Sequence, residues 1–166
     1  LTGELEGLPF KGKVDSINLT QQYFVDLKTM RSIAQETWSP TLHQRVPQMV
    51  YNVYEYKYHL QMFLYQKLLE QMDCPFFTPY MVAVSKEEIP DKEIIVFDDE
   101  ILEIGEAVFY AHINRVKEVV SGLVPPTHCG VCDYCKTIKH LEYPALTLAQ
   151  YIEGESKRKL DKIVRF

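Results

Sequence analysis

The chain has 166 residues, of which 46% are hydrophobic and 25% are charged, and its formal net charge at pH 7 is −5. This length suffices for one domain with its own core, and the composition is ordinary for a globular protein. No apolar run approaches the roughly 20 residues that a membrane span needs, and the acidic balance argues against a protein that coats nucleic acid by neutralising its phosphates.

The N-terminal part of the chain is predicted to be rich in β-structure. Residues 7–12 contain turn signals, and we expect two adjacent antiparallel strands at about 13–18 and 22–28, joined by a polar hairpin connection. Because the chain opens inside a predicted strand and without Met, we expect that Leu1 is not its natural start and that part of the domain precedes it.

The following segments combine helices with further strands. Residues 29–38 are expected to form a short helix or an irregular crossing that stops at Ser39-Pro40. Apolar residues recur at spacings of three and four across 45–72, which predicts a continuous helix. The remaining predicted elements are strands at 76–84 and 93–97, a long helix from about 99 to 121 capped by Asp98 or Asp99, and a C-terminal helix at 146–163. This order predicts a single mixed α/β (α+β) domain over 1–166, with a central mixed sheet flanked by helices.

The two N-terminal strands carry a candidate catalytic centre. A Gly-Lys-Val-Asp motif ends at Asp15 and is followed eleven residues later by Asp26-Leu27-Lys28. Alternate strand residues face the same side, so Asp26 and Lys28 share one face, while Leu27 is expected to point to the other and pack. If the strands pair, Asp15 comes beside Asp26. Two carboxylates and the Leu27 carbonyl then suit Mg²⁺, and Lys28 suits an attacking water, as in phosphodiester hydrolysis.

The alternative is that this cluster has no catalytic role, because an Asp-x-Lys pair on a strand is commonly a surface ion pair that contributes about 0–1 kcal/mol to stability. A second element supports the catalytic interpretation. Gln61 and Tyr65 lie four residues apart on the helix predicted for 45–72, so they share one face, and their polar tips can reach phosphate or base edges. By itself this pair is equally typical of the polar boundary of an amphipathic helix.

Together and in this order, these motifs resemble the RecB-like branch of the PD-(D/E)XK nuclease superfamily. The pattern there is Gly-x-x-Asp, then Asp/Glu-x-Lys, then Gln-x-x-x-Tyr, which here corresponds to residues 12–15, 26–28 and 61–65. The likeness is greatest to phage and prophage RecE-like exonucleases, which also tend to carry a cysteine-rich segment, here at 128–140. The resemblance covers about residues 1–140 and implies a restriction-endonuclease-like core.

The resemblance implies a role for each matching position. Asp15, Asp26 and the Leu27 carbonyl would hold Mg²⁺ or Mn²⁺, and Lys28 would assist the attacking water. Gln61 and Tyr65 would line the active site and contact substrate. The implied activity is exonucleolytic digestion of linear duplex DNA from its ends in phage-type recombination, in the cytoplasm of a bacterial or phage-infected cell. The implied partners are further copies of the chain, as a homo-oligomer, and a single-strand annealing or recombinase protein.

The family also uses a residue from an N-terminal helix to complete the site. We expect that helix to precede Leu1. Glu4 and Glu6 are candidate additional ligands, although a solvent-facing strand edge is the simpler explanation for them.

Three of the four cysteines, Cys129, Cys132 and Cys135, fall within seven residues, with His128, His140 and Cys74 as further candidates. This clustering favours a metal or redox role over a disulfide framework. Thiolates at such spacing suit Zn²⁺ or an iron–sulfur cluster, but a typical zinc site has two separated Cys-x-x-Cys pairs. Three thiols in a partly buried turn without metal is the alternative.

Two other functions remain open at this point. One is a non-catalytic DNA- or protein-binding module with a zinc knuckle, which would bind without cleaving. The other is a different RecB-like nuclease of the CRISPR-associated or restriction type, of which a restriction enzyme would cut circular DNA at a sequence instead of needing a free end. The basic cluster at 156–166 is expected to be a solvated helix end rather than a DNA contact.

Overall fold

The structure is a computed structural model that describes residues 1–72, 76–130, 132–141 and 145–154. It divides into two units, Leu1–Asn114 and Arg115–Phe166. The elements in chain order are β1 (Thr2–Leu5), β2 (Leu8–Lys11), β3 (Ser16–Asn18), β4 (Tyr23–Met30), β5 (Glu36–Ser39), β6 (Gln44–Pro47), α1 (Gln48–Glu55), α2 (Tyr58–Glu70), β7 (Thr78–Ser85), β8 (Lys92–Val96), α3 (Asp99–Val120) and α4 (Asp133–Thr137).

The central sheet of the first unit has the strand order β3-β4-β7-β8. The β3–β4 and β7–β8 pairs are antiparallel, whereas β4 and β7 are parallel, with Asp26 opposite Met81. Strands β1–β2 and β5–β6 form separate two-stranded hairpins. The predicted mixed α+β architecture with a central mixed sheet is therefore confirmed.

The hairpin β3–β4 confirms the predicted pair of antiparallel strands, although β3 is shorter than predicted and begins only at Ser16. Ser16 lies opposite Val25, and the side chain of Asn18 accepts a hydrogen bond from the backbone of Gln21 at 2.8 Å, which stabilises the connecting turn. Strand β4 runs to Met30, further than predicted, because all eight of its residues pair with β7.

Alternation along β4 places Phe24, Asp26 and Met30 in the interior. Phe24 and Met30 belong to a hydrophobic core built from side chains of β4, α2, β7 and α3, whereas Asp26 is polar. Other members of this core are Met62, Phe63, Met81, Ala83, Leu102 and Phe109. Leu27 points to the opposite face, as predicted, but the prediction that it packs is wrong, because 52% of the residue is exposed. Its neighbours on that face, Ile94 and Val96, are also exposed.

The helix or irregular crossing predicted for 29–38 is wrong in its second half. Residues Glu36–Ser39 form β5 and pair with β6, with Glu36 opposite Pro47. The Ser39 hydroxyl accepts from the backbone of Leu42 at 3.1 Å and donates to Glu55 at 2.7 Å, so this hairpin is tied to helix α1. Ser39-Pro40 therefore starts a turn between two strands rather than ending a helix.

The single helix predicted for 45–72 is also corrected. The chain forms strand β6, then α1, and then α2, and the two helices are separated at Lys57, whose φ of 57° is left-handed. The apolar spacing of three and four continues through this break because both helices contribute to the same core. One left-handed residue cannot be detected from such a pattern.

Helices α2 and α3 approach each other closely at Gly105. A methyl group there would overlap the carbonyl oxygen of His59 and would lie 2.7 Å from its carbonyl carbon. His59 is 1% exposed, and its Nδ1 has no hydrogen-bond partner among the described residues. Burial, and secondarily the charge of Lys57, lowers the pKa of His59 to about 4, so the ring is neutral at pH 7.

Helix α3 confirms the long helix predicted from about 99 to 121. The Asp98 carboxylate accepts from the backbone of Ile101 at 3.1 Å, which is a helix N-cap, and Gly122 follows the helix with a φ of 77°. Residues 148–154 are helical, within the predicted C-terminal helix. The rest of that helix, the basic cluster at 156–166 and Cys74 lie outside the described residues. Among the helices described, none is long and apolar enough to cross a membrane.

Candidate active site

Asp15 lies just before strand β3 and continues the hairpin by means of its side chain. Its Oδ2 accepts a hydrogen bond from the backbone N–H of Leu27 at 2.7 Å. Since Ser16 pairs with Val25, this bond keeps Asp15 next to Asp26, as the hairpin geometry predicted. The Asp15 residue is exposed, so its carboxylate is open to a ligand.

Asp26 is the buried carboxylate of the site, with 3% of the residue exposed. Its Oδ1 accepts from Gln61 Nε2 at 3.1 Å, and its Oδ2 lies 2.7 Å from Lys28 Nζ. That oxygen makes no geometrically aligned hydrogen bond to any described residue, so the contact with Lys28 is an ion pair. The two-residue spacing on β4 thus places the carboxylate and the ammonium side by side, as predicted.

Lys28 is held by three groups. Besides the ion pair with Asp26, its Nζ donates to Gln61 Oε1 at 2.8 Å and lies 4.6 Å from the centre of the Tyr58 ring. Burial, then the nearby Tyr56 and Asp26, raise the pKa of the Tyr58 hydroxyl. The sequence analysis did not single out Tyr58, although its position three residues before Gln61 on the same helix is a usable signal.

Gln61 and Tyr65 connect helix α2 to strand β4 and to the segment that precedes β3. Gln61 Nε2 donates to Tyr65 Oη at 2.7 Å, and Tyr65 Oη donates to the carbonyl of Lys13 at 2.9 Å. The Tyr65 ring lies on Gly12, where a Cβ would come within 2.6 Å of ring carbon Cε1. The Gly-x-x-Asp motif therefore needs glycine because the tyrosine of the third motif packs against it.

The polar tips of Gln61 and Tyr65 are engaged within the protein. We therefore assign them a positioning role for Asp26, Lys28 and the Gly12 segment, and direct contact with substrate stays a prediction. Three short motifs, each weak alone, form one connected network in the structure.

The donor set suits a hard divalent cation. Two carboxylates with one ammonium leave a net negative charge, and the buried Asp26 Oδ2 lacks an aligned hydrogen bond. Mg²⁺ prefers oxygen ligands and commonly takes only one or two protein carboxylates. Asp15, Asp26 and the Leu27 carbonyl are the residues that would hold it.

Within the described part of the chain, no third acidic or histidine ligand joins these two aspartates. Glu4 and Glu6 do not form such a group with them. The backbone N–H and carbonyl of Glu4 both hydrogen-bond to the side chain of Gln71. The additional ligand that was expected from a preceding helix stays a prediction.

The second unit brings three thiols together. The Sγ atoms of Cys129, Cys132 and Cys135 all lie within 4.8 Å of one another. Backbone N–H groups point at two of them, since Cys132 donates to Cys129 Sγ at 3.2 Å and Cys135 donates to Cys132 Sγ at 3.5 Å. His128 Nδ1 lies 3.9 Å from Cys135 Sγ, whereas His140 is not part of the group. The spacing of the cysteines thus produces a convergent cluster, which is the geometry a soft metal requires.

Comparisons with known proteins point in the same direction as this geometry. The family described as "PDDEXK-like domain of unknown function (DUF3799)" matches residues 1–138. Among solved structures, the chain is similar to a "putative exonuclease" from Eubacterium rectale, with a TM-score of 0.80 and 27% sequence identity. The similarity covers 92% of this chain and 55% of that one, so this chain spans about half the length of its relative. No curated protein matches the chain.

Proposed function

Because this chain belongs to the family of PDDEXK-like domains (DUF3799), we propose that it is a metal-dependent exodeoxyribonuclease that hydrolyses linear duplex DNA from its ends. The family match confirms the superfamily that the motifs indicated, and the structural match confirms the restriction-endonuclease-like core. The likeness to the "putative exonuclease" of Eubacterium rectale supports end-directed cleavage.

The observation that carries the proposal is the ion pair of Asp26 and Lys28, bridged by Gln61, beside the Asp15 carboxylate. Asp15 and Asp26 are proposed to hold Mg²⁺ or Mn²⁺. When bound, such an ion neutralises charge on phosphoryl oxygens and lowers the pKa of coordinated water.

The other residues of the site act around the phosphate. Lys28 supplies a fixed ammonium that can orient the attacking water and stabilise the negative charge that develops on the phosphoryl oxygens. Gln61 and Tyr58 hold that ammonium in place from two sides. Because Tyr65 bonds to both Gln61 and the Lys13 carbonyl, it keeps the Asp15 segment against the helix that carries Gln61.

The finer assignments also belong to this proposal. A role in phage-type recombination, a homo-oligomeric assembly and a single-strand annealing or recombinase partner follow from the resemblance to RecE-like exonucleases.

End dependence and metal dependence can be measured in one assay. The full-length protein is incubated with one plasmid in two forms, linearised and covalently closed, in either Mg²⁺ or EDTA. We expect loss of the linear form alone, and only with Mg²⁺, because an exonuclease needs a free end. Cutting of the closed circle would instead identify an enzyme of the restriction type. Binding of the linear DNA without cleavage in Mg²⁺ would favour the non-catalytic binding module.

We also propose that the three convergent thiolates bind a metal ion, with Zn²⁺ and an iron–sulfur cluster as the two candidates. The proposal is supported by the Sγ atoms lying within 4.8 Å of one another and by backbone N–H groups that donate to them. His128 is the nearest candidate for a fourth ligand.

Metal content decides this second proposal. Protein purified without oxygen is expected to contain about one zinc ion, or the iron of one cluster, per chain, and Cys132→Ser is expected to lose it. Lys136→Ala, on the exposed side of the same short helix, serves as the control and should retain the metal. Absence of both zinc and iron from the unaltered protein would reject the site.

A further inference from the structure

A lysine-lined groove adjoins the catalytic network. It has a volume of about 440 Å³ and lies between the end of β2 and the junction of α1 with α2. Its charged lining residues are Lys11, Lys13 and Lys57, and no carboxylate is among the described residues that line it. Two other cavities of the same unit differ, because they are lined by carboxylates: Glu4 and Glu6 in one, and Glu70, Asp99, Glu103 and Glu106 in the other. On a chain with a net charge of −5, this groove is a local positive site.

The groove leads to the candidate catalytic residues. Gly12, Lys13, Gln61 and Tyr65 line it, and all four belong to the network described above. Gln61 is bonded directly to Asp26. A polyanion that follows the groove is therefore guided to the carboxylate–lysine centre.

An exposed aromatic ring stands at the same place. Tyr56 is 61% exposed and lines the groove. Its ring centre lies 6.1 Å from those of both Tyr51 and Tyr58, and Tyr58 in turn contacts the Lys28 ammonium. The aromatic row thus begins at the groove and ends at the catalytic lysine. Exposed rings of this kind stack on unpaired bases with little dependence on sequence.

The backbone at the groove is strained. Lys57 adopts a φ of 57°, which is uncommon for a residue other than glycine. It lies between the end of α1 and the start of α2, and it lines the groove. The neighbouring Glu55 carboxylate accepts hydrogen bonds from Ser39 and Thr41 of the β5–β6 hairpin and also interacts electrostatically with Lys57.

We infer that this groove holds a single strand of DNA, with its phosphates on Lys11, Lys13 and Lys57 and an unpaired base on Tyr56. The inference rests on the proposed nuclease function, which requires a strand to reach Asp26. A single strand fits better than duplex because only an unpaired base exposes its face to a tyrosine ring.

Binding without cleavage tests the inference. Fluorescence anisotropy of a labelled 12-nucleotide single strand is measured in EDTA at several salt concentrations, with a blunt duplex of equal length as the second probe. When the logarithm of the binding constant for a single strand is plotted against the logarithm of the salt concentration, it falls with a slope of about 0.7 per phosphate contact. We expect Lys11→Ala with Lys13→Ala to lower the slope by about 1.4 and to weaken binding about 20-fold at 0.1 M salt.

The contributions of Tyr56 and Lys57 to binding are tested with separate variants. Tyr56→Ala is expected to weaken single-strand binding about 5-fold or more without changing the salt slope. Lys57→Asn tolerates the left-handed backbone and should lower the slope by about 0.7. Lys86→Ala with Lys92→Ala removes the same charge as the double variant from exposed positions elsewhere in the unit, and Tyr110→Ala removes an exposed ring. These control variants are expected to bind as the unaltered protein does.

Each other outcome overturns the inference. If the groove variants bind the single strand as tightly as the control variants do, the strand binds elsewhere on the protein. Loss of affinity for the blunt duplex with unchanged single-strand binding assigns the groove to duplex DNA. A protein that does not bind the single strand at all also refutes it. In all three cases the nuclease proposal is judged separately, by digestion of linear plasmid in Mg²⁺.

Discussion

Replacing Asp26 by Asn is expected to reduce Mg²⁺-dependent digestion of linear DNA by about 10³-fold or more while the protein stays folded. The change removes one charge from the cation site, and metal-ion catalysis contributes several kcal/mol to transition-state stabilisation, with each 1.36 kcal/mol worth tenfold in rate. Asn retains an oxygen that can accept from Gln61 Nε2 at the position of Oδ1, so the side chain keeps its place. Initial rates on linearised plasmid, together with thermal unfolding, provide the measurement.

Two further variants and one control sharpen this experiment. Asp15→Asn can still accept the Leu27 N–H, and Lys28→Gln removes the ammonium; each should lower the rate by about 10²-fold or more. Glu93→Gln neutralises an exposed carboxylate on strand β8 of the same sheet and should leave the rate unchanged. Undiminished digestion by all three site variants would remove the basis for the active site.

Gly105→Ala is expected to destabilise the fold by about 2 kcal/mol, although alanine is the better helix former. The added methyl would overlap the carbonyl of His59, and backbone atoms cannot rotate away as a side chain does. An overlap with backbone atoms lies at the upper end of the cost of overpacking, about 3 kcal/mol, and helix propensity recovers about 1 kcal/mol of this. Urea unfolding of the variant and the unaltered protein gives the difference.

A control on the same helix separates packing from propensity. Ala107 is exposed on α3, so Ala107→Gly should cost about 1 kcal/mol through propensity alone. If propensity also governed position 105, Gly105→Ala would stabilise the protein by a similar amount, and that result would contradict the close approach. We also expect slower digestion by Gly105→Ala, because α2 begins beside the contact and carries Gln61 and Tyr65.

Strand periodicity made much of the site predictable. Because Asp26 and Lys28 are two residues apart, their side chains lie on the same face of any strand that contains them. The polar connection between β3 and β4 then fixes which residues of the two strands pair. The structure therefore places Asp15, Asp26 and Lys28 together, as the sequence indicated. The positions of β7 and β8 and the extent of α3 followed from similar local signals.

Other features depend on tertiary contacts that leave no local pattern. The break at Lys57 is a single backbone conformation inside an unbroken apolar spacing. In the sequence Gly12 has the appearance of a turn residue, but glycine is needed there because the Tyr65 ring, more than fifty positions later in the chain, packs against it. Leu27 is exposed, and whether such a residue is buried depends on which elements cover its face of the sheet. The alternation of residues along a strand does not predict that.

The parallel pairing of β4 with β7 also sets an order of events during synthesis. Asp26 lies opposite Met81, so strand β4 acquires its second neighbour only after 55 further residues have left the ribosome. Both intervening helices and a complete β-hairpin must emerge first, and closing so long a loop is slow compared with local folding. Strand β4 of a nascent chain therefore lacks its second neighbour until Ser85 is clear of the exit tunnel, so the proposed active site is expected to be complete only late in synthesis.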